Sequence, residues 1–145
     1  MTAIEGYASL FGRIDLGRDV ILPGAFHASL QRRSASDIRM LWQHDPAEPI
    51  GVWTDIREDR NGLRVRGRLL PDVQRGRELA ALIEQGAVDG LSIGFRAVRS
   101  KRDPHARLRR IAEIDLWEIS LVTFPLLPGA RLARFNASVS TRIAQ

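Results

Sequence analysis

Apolar positions along the chain fall into short, mostly alternating runs rather than long helical stripes. Ile4-Glu5-Gly6-Tyr7-Ala8-Ser9-Leu10-Phe11 alternates loosely and predicts a first strand. Residues 15–19, with Gly17 and several charges, predict a turn, and Val20-Ile21-Leu22 predicts a short strand. Pro23-Gly24 opens a short predicted helix over 25–32, because proline is favoured in a first helical turn, where its missing N–H has no helical partner. Ile38 to His44 predicts a strand that ends at Asp45-Pro46, since the proline biases Asp45 away from helix. Residues 50–57 and 63–70 predict a hairpin joined by Glu58-Asp59-Arg60-Asn61-Gly62, whose Asn-Gly pair tolerates positive φ. Leu63, Val65 and Leu69 alternate with Arg64, Arg66 and Arg68, which turns the arginines toward water.

Further on, Asp72 is the expected N-cap of a helix over 73–85, with Leu79, Leu82 and Ile83 as its apolar stripe and Gly86 as its stop. Residues 89–98 predict a strand and 99–105 a basic, proline-containing loop. Residues 110–124 predict one long strand or a bent pair, broken by Pro125 and Pro128-Gly129. The polar, small-residue segment 136–145 reads as a frayed tail behind a domain over 1–135. Six or seven strands with two or three helices, without regular β-α-β alternation, argue for an α+β fold. It would be a mostly antiparallel sheet or barrel with peripheral helices.

Composition narrows the chemistry. At 145 residues and 44% hydrophobic, the chain suits a single domain with a sizeable core and is not disordered throughout. No cysteine is present, which removes disulfides, thiolate metal sites and cysteine nucleophiles together. The three histidines, His27, His44 and His105, form no i, i+4 pair, so neither a metal nor any other cofactor is expected. No apolar run approaches the roughly 18–20 residues of a membrane span, and no export signal is visible, so a cytoplasmic protein without membrane contact is expected. The net charge of +5 rests on arginine, Lys101 being the one lysine. That bias reads as a coding preference, and it permits acidic partners without requiring nucleic acid.

Three positions could carry chemistry: His44 at a strand end, Ser92 within Gly90-Leu91-Ser92-Ile93-Gly94-Phe95, and Glu118 within Leu116-Trp117-Glu118-Ile119-Ser120-Leu121-Val122. A hydroxyl that attacks a carbonyl needs a base for its proton and a group that holds that base in one tautomer. Histidine is the natural base because its free pKa lies near neutrality. Each residue also has a plain reading. Ser92 is a small residue in a crowded strand, His44 a turn histidine, and Glu118 an edge residue alternating with Glu113 and Asp115. Gly90-x-Ser92-x-Gly94 fits the α/β-hydrolase nucleophile elbow in spacing alone. That elbow needs a parallel sheet and the order serine, acid, histidine, which this chain lacks.

Four segments in this order carry a resemblance. They are Val20-Ile21-Leu22-Pro23-Gly24-Ala25-Phe26; Met40-Leu41-Trp42-Gln43-His44-Asp45-Pro46 with Pro49-Ile50-Gly51; Gly90-Leu91-Ser92-Ile93-Gly94-Phe95; and Leu116-Trp117-Glu118-Ile119-Ser120-Leu121-Val122-Thr123-Phe124-Pro125. Together they resemble the prohead (capsid maturation) serine proteases of HK97-type tailed phages and of related gene transfer agents, over residues 4–131. The compact length and arginine-rich coding fit a gene transfer agent version. The family is similar in fold to herpesvirus assemblins, which implies a partly closed, mostly antiparallel β-barrel ringed by helices.

The resemblance implies Ser92 as nucleophile, His44 as general base and Glu118 as the third member, with Glu113 and Asp115 as substitutes in another register. It implies oxyanion donors from the backbone of Leu126, Leu127, Gly129 and Ala130, near Arg131, although the paired arginine of the herpesvirus loop is lacking. Implied substrates are the scaffold segment of the major capsid protein, a separate scaffold and the enzyme's own tail, cut inside the assembling prohead in the bacterial host. A homodimer or higher oligomer is expected. The competing reading is a non-catalytic assembly factor that binds scaffold or nucleic acid through Arg96, Arg99, Lys101, Arg102, Arg107, Arg109 and Arg110. No aromatic residues interleave these charges for base stacking, so a solvated basic loop is expected there and nucleic acid is not.

Overall fold

The computed structural model describes residues 2–133, so the tail expected at 136–145 lies outside the described residues. Its strands are β1 (Thr2–Leu10), β2 (Asp19–Ile21), β3 (Arg39–Trp42), β4 (Asp45–Glu58), β5 (Gly62–Leu69), β6 (Gly90–Asp103) and β7 (Leu108–Val122). Two helices accompany them, α1 (His27–Arg32) and α2 (Gln74–Glu84), with a short 3-10 turn at Ala35–Asp37. The strands form one seven-stranded sheet in the order β1-β5-β4-β3-β7-β2, and β6 pairs with β7 off that path. On its other edge β7 runs parallel to β2 through Arg109–Ile111 and parallel to β3 through Glu118–Leu121. The remaining pairs are antiparallel.

The sheet curls into a partly closed barrel. Between β1 and β6 the gap is spanned by single bridges, Gly6 to Leu132 and Gly90 to Arg131. There the Leu132 N–H donates to the Asp89 carbonyl at 2.8 Å and the Ala133 N–H to the Glu5 carbonyl at 2.8 Å. The core inside holds Ile4, Phe26, Ile50, Trp53, Leu79, Leu91 and Ile114, each almost fully buried. Trp53 donates its indole N–H to the Ile119 carbonyl at 3.2 Å, which satisfies the one polar atom it carries inward. No described helix is long and apolar enough to cross a membrane.

Several local expectations change. Residues 99–103 are strand and not loop, because β6 continues to Asp103 opposite β7, from the Gly90–Val122 pair to the Asp103–Leu108 pair, and only the residues after Asp103, Pro104 and His105 among them, form the turn. Pairing along the edge of β7 outweighs the polar sequence of 99–103, and ion pairs from Arg110 to Asp103 (2.9 Å) and Arg99 to Glu113 (3.8 Å) line the arm. Asp72 does not cap α2. The N-cap is Val73, in extended conformation and without a side-chain bond. Gly76 sets the start instead, for a Cβ there would lie 2.4 Å from the Leu70 carbonyl oxygen, so the helix begins where its backbone can approach that strand end. Leu79 is buried and Ile83 packs on the core, whereas Leu82 is exposed. The turn at 58–62 lies where expected, but neither Asn61 nor Gly62 adopts positive φ. The Asp59 carboxylate accepts the N–H groups of Asn61 (2.7 Å) and Gly62 (3.1 Å) and shapes the turn as an Asx motif.

Helix α1 docks on β7 through a polar contact. Ser29 is fully buried and its hydroxyl accepts the Leu116 N–H at 2.9 Å. The register of β6 on β7 slips between Gly94–Glu118 and Phe95–Leu116, leaving Trp117 as the extra residue of a bulge. Ser29 therefore satisfies a backbone donor beside that bulge. Replacing Ser29 with alanine is expected to destabilise the protein by about 1–3 kcal/mol, the usual penalty for an unpaired buried N–H. Urea unfolding of the two proteins checks this.

Candidate active site

Beyond the bulge, Ile119 and Leu121 face the core, so Glu118 and Ser120 lie on the outer face of β7. Across the ladder, Ser92 pairs with Ser120 and Gly94 with Glu118, so these four residues share that face. Gly94 is required there: a Cβ would come within 2.2 Å of Glu118 Oε2. The carboxylate lies over the bare backbone of β6, and its side chain is only 14% exposed.

His44 arrives from the other edge of β7. Trp42 pairs with Asp45, leaving Gln43 and His44 as a two-residue turn between β3 and β4. Both are left-handed, with φ of 53° and 60°. Such turns favour Asn-Gly, and a left-handed L-residue costs about 1–2 kcal/mol. Hydrogen bonds to β7 and its exit hold the conformation. The Gln43 N–H donates to the Leu121 carbonyl at 2.9 Å, and the His44 N–H to Ser120 Oγ at 3.0 Å. The Gln43 side chain donates to Thr123 Oγ1 (3.2 Å) and accepts the Thr123 N–H (3.1 Å).

So presented, His44 Nδ1 meets Glu118 Oε2 at 2.5 Å. Ser120 donates its hydroxyl to the other carboxylate oxygen, Oε1, at 2.7 Å. The bond to Glu118 raises the His44 pKa above its ordinary value; partial burial opposes the shift and the carboxylate's charge adds to it. With Nδ1 engaged, Nε2 is the ring nitrogen left to exchange a proton with another group. Ser92 is buried, and among the described residues no hydrogen bond joins its hydroxyl to His44.

A cleft adjoins Ser92, lined by Ser9, Asp15, Ile21, Phe95, Leu126 and Leu127 among others. Burial holds the Asp15 carboxyl above the usual carboxylate range, against hydrogen bonds from the Asp19 and Gly17 N–H groups. Two loop residues, Leu126 and Leu127, thus line the same cleft as Ser92. The Ala130 N–H is engaged, donating to the Leu127 carbonyl at 2.9 Å. Arg131 holds the Pro128 carbonyl (2.9 Å) and Asp89 (2.5 Å).

The other carboxylates of β7 lie elsewhere. Asp115 takes the Trp117 indole N–H at 2.8 Å and the Arg33 guanidinium at 2.5 Å, and in that order they hold it below the usual range. Glu113 faces Arg99. Ser92 lies within a strand rather than on a strand-to-helix elbow. His105 sits in the turn after β6, its N–H on Asp103. Among the basic residues of 96–110, Arg99, Arg109 and Arg110 are ion-paired to Glu113, Asp19 and Asp103. Among the described residues no group of three His, Asp or Glu side chains could hold a metal.

Sequence reasoning passed over Ser120, Gln43 and Thr123. Ser120 had a readable signal, since two residues apart on a strand puts it on the face of Glu118.

The family model described as caudovirus prohead serine protease matches residues 1–143. The prohead protease of Enterobacteria phage HK97 is 37% identical over 136 residues, which is 92% of this chain and 60% of that protein. The chain thus spans about three fifths of that relative's length. Among solved structures, the bacteriophage T4 capsid assembly protease superposes with a TM-score of 0.67 at 17% identity, covering 83% of this chain and 80% of that one. The KSHV protease in complex with a hexapeptide phosphonate inhibitor gives 0.60 at 12% identity, covering 97% and 68%. At such identities these two likenesses speak for the fold, an assemblin-like barrel.

Proposed function

The chain belongs to the caudovirus prohead serine protease family, and from that premise we propose that it is a serine endopeptidase cutting the scaffold segment of a capsid protein. The observation that carries this reading is the 2.5 Å contact of His44 Nδ1 with Glu118, on the face where Ser92 lies across from Ser120. A bland turn histidine has no need of a carboxylate at that nitrogen, whereas a general base does.

In the reaction proposed, Ser92 Oγ attacks the scissile carbonyl carbon and its proton passes to His44 Nε2. Glu118 keeps the Nδ1 proton in place and stabilises the imidazolium. The tetrahedral intermediate collapses as His44 returns the proton to the leaving amine, which breaks the C–N bond and leaves an acyl-enzyme. Water then attacks the ester, with His44 again the base. Hydrogen bonds of this kind often form only in the substrate complex, so the absence of a Ser92–His44 bond among the described residues is compatible with this step. The oxyanion needs donors about 3 Å away. The candidates are the N–H groups of Leu126, Leu127 and Gly129. Ala130 drops out, because its N–H already binds the Leu127 carbonyl.

The site of action in this reading is the interior of the assembling prohead in the host cell, where enclosure with the substrate lets modest turnover suffice. Co-expression with an HK97-type major capsid protein carrying its scaffold segment tests the proposal, wild type against Ser92→Ala, with the capsid N-terminus read by mass spectrometry. A shortened capsid protein with wild type alone is expected. A capsid protein left whole by wild type, or shortened equally by both, overturns the reading.

A further inference from the structure

We propose that Ser120 is a positioning residue that locks the His44–Glu118 pair by holding both of its members through one hydroxyl. This rests on the protease reading above and deepens it.

Ser120 Oγ is fully buried and makes two hydrogen bonds with opposite roles. It donates to Glu118 Oε1 at 2.7 Å and accepts the His44 backbone N–H at 3.0 Å. The first bond occupies the carboxylate oxygen that His44 does not use, so the carboxylate cannot rotate freely about its own axis. The second fixes the turn residue that carries the imidazole, in a left-handed conformation uncommon outside glycine. One hydroxyl therefore sets the position of the base and of its orienting acid relative to each other. The third side of the carboxylate is closed by Gly94, where no side chain fits. Gln43 and Thr123 anchor the same turn but do not touch Glu118, so they cannot substitute for this link.

A serine at this place also has a packing use, as a small side chain between β3 and β6, where Leu41 and Ser92 are its ladder neighbours. The two roles separate in experiment, since alanine keeps a small side chain there without the hydroxyl. Ser120→Ala is expected to lower kcat about tenfold or more, the effect of one lost hydrogen bond of ordinary strength, with KM changed little. The Nδ1 proton resonance of protonated His44, which reports its bond to Glu118, is expected to move upfield and broaden. A packing role alone would leave that resonance in place. Wild-type kcat in a folded Ser120→Ala protein, or an unchanged resonance, overturns the proposal. Should Ser120→Ala fail to fold, Ser120→Thr decides: it keeps the hydroxyl, and wild-type kcat and resonance support the proposal, whereas loss of either in folded protein overturns it. The resonance is measured without any substrate. It therefore tests the link to Glu118 even if Ser92→Ala were to retain cleavage and the protease reading failed.

Discussion

Ser92→Ala protein is expected to fold like wild type and to cut nothing. Ser92 is mostly buried, and among the described residues its hydroxyl is bonded to neither His44 nor Ser120. Its removal strands no partner, and a stability change under about 1 kcal/mol follows. The expected loss of turnover is at least about 10⁴-fold, since the bond-forming atom is gone and only binding and oxyanion stabilisation remain. Steady-state cleavage of a peptide spanning the capsid processing site, beside a thermal melt, measures both. Retained turnover would move the nucleophile elsewhere, and lost turnover with a collapsed melting temperature would leave the assignment unsupported.

Glu118→Gln has the second largest expected effect and a signature in pH. The amide either turns its NH₂ toward His44, which favours the wrong tautomer, or accepts more weakly through its oxygen. A fall in kcat of about 10²–10⁴-fold is expected. In wild type the carboxylate raises the His44 pKa, so the base is free only above that raised value. The acid limb of kcat/KM should therefore lie above the ordinary histidine value of about 6.5, and Glu118→Gln should bring it down toward that value. The sign for stability runs the same way. A pKa raised by folding stabilises the protein in full below about pH 6.5, and that contribution is lost as pH rises through the folded value. Wild type should thus lose its stability advantage over the variant on going from mildly acid to alkaline solution. Denaturant titrations of the two proteins across that range test it, and an advantage that grew with pH would contradict the pairing.

Much of this site could be read from the order of residues, and the failures have physical reasons. His44 and Glu118 stood out as polar residues at the end and in the middle of apolar strands, and they meet in space. Ser120 did not stand out because a serine in an apolar run is usually only a small side chain. Its meaning depends on which residue arrives from β3. The Gln43–His44 turn is invisible to rules that look for asparagine and glycine, since its left-handed backbone is held by bonds to Leu121, Ser120 and Thr123, all 76 to 80 positions away. The strands were legible wherever alternation was strict, as in β5. The far half of β6 was not, because its residues are exposed and polar and its extension depends on pairing with β7. Asp72 misled because capping preference is local, whereas the start of α2 follows from how closely Gly76 can approach the end of β5.

The short stitch at 131–133 bears on how much of such a chain can be trimmed. Its backbone fills the slot between the first strand and the sixth, so residues 131–133 belong to the barrel wall. A proteolytic nick before Arg131 would unzip the slot and bare two rims of unpaired amides and carbonyls, the kind of edge on which foreign strands gather. The same stitch borders the cleft beside Ser92 through Leu91 and Ala130.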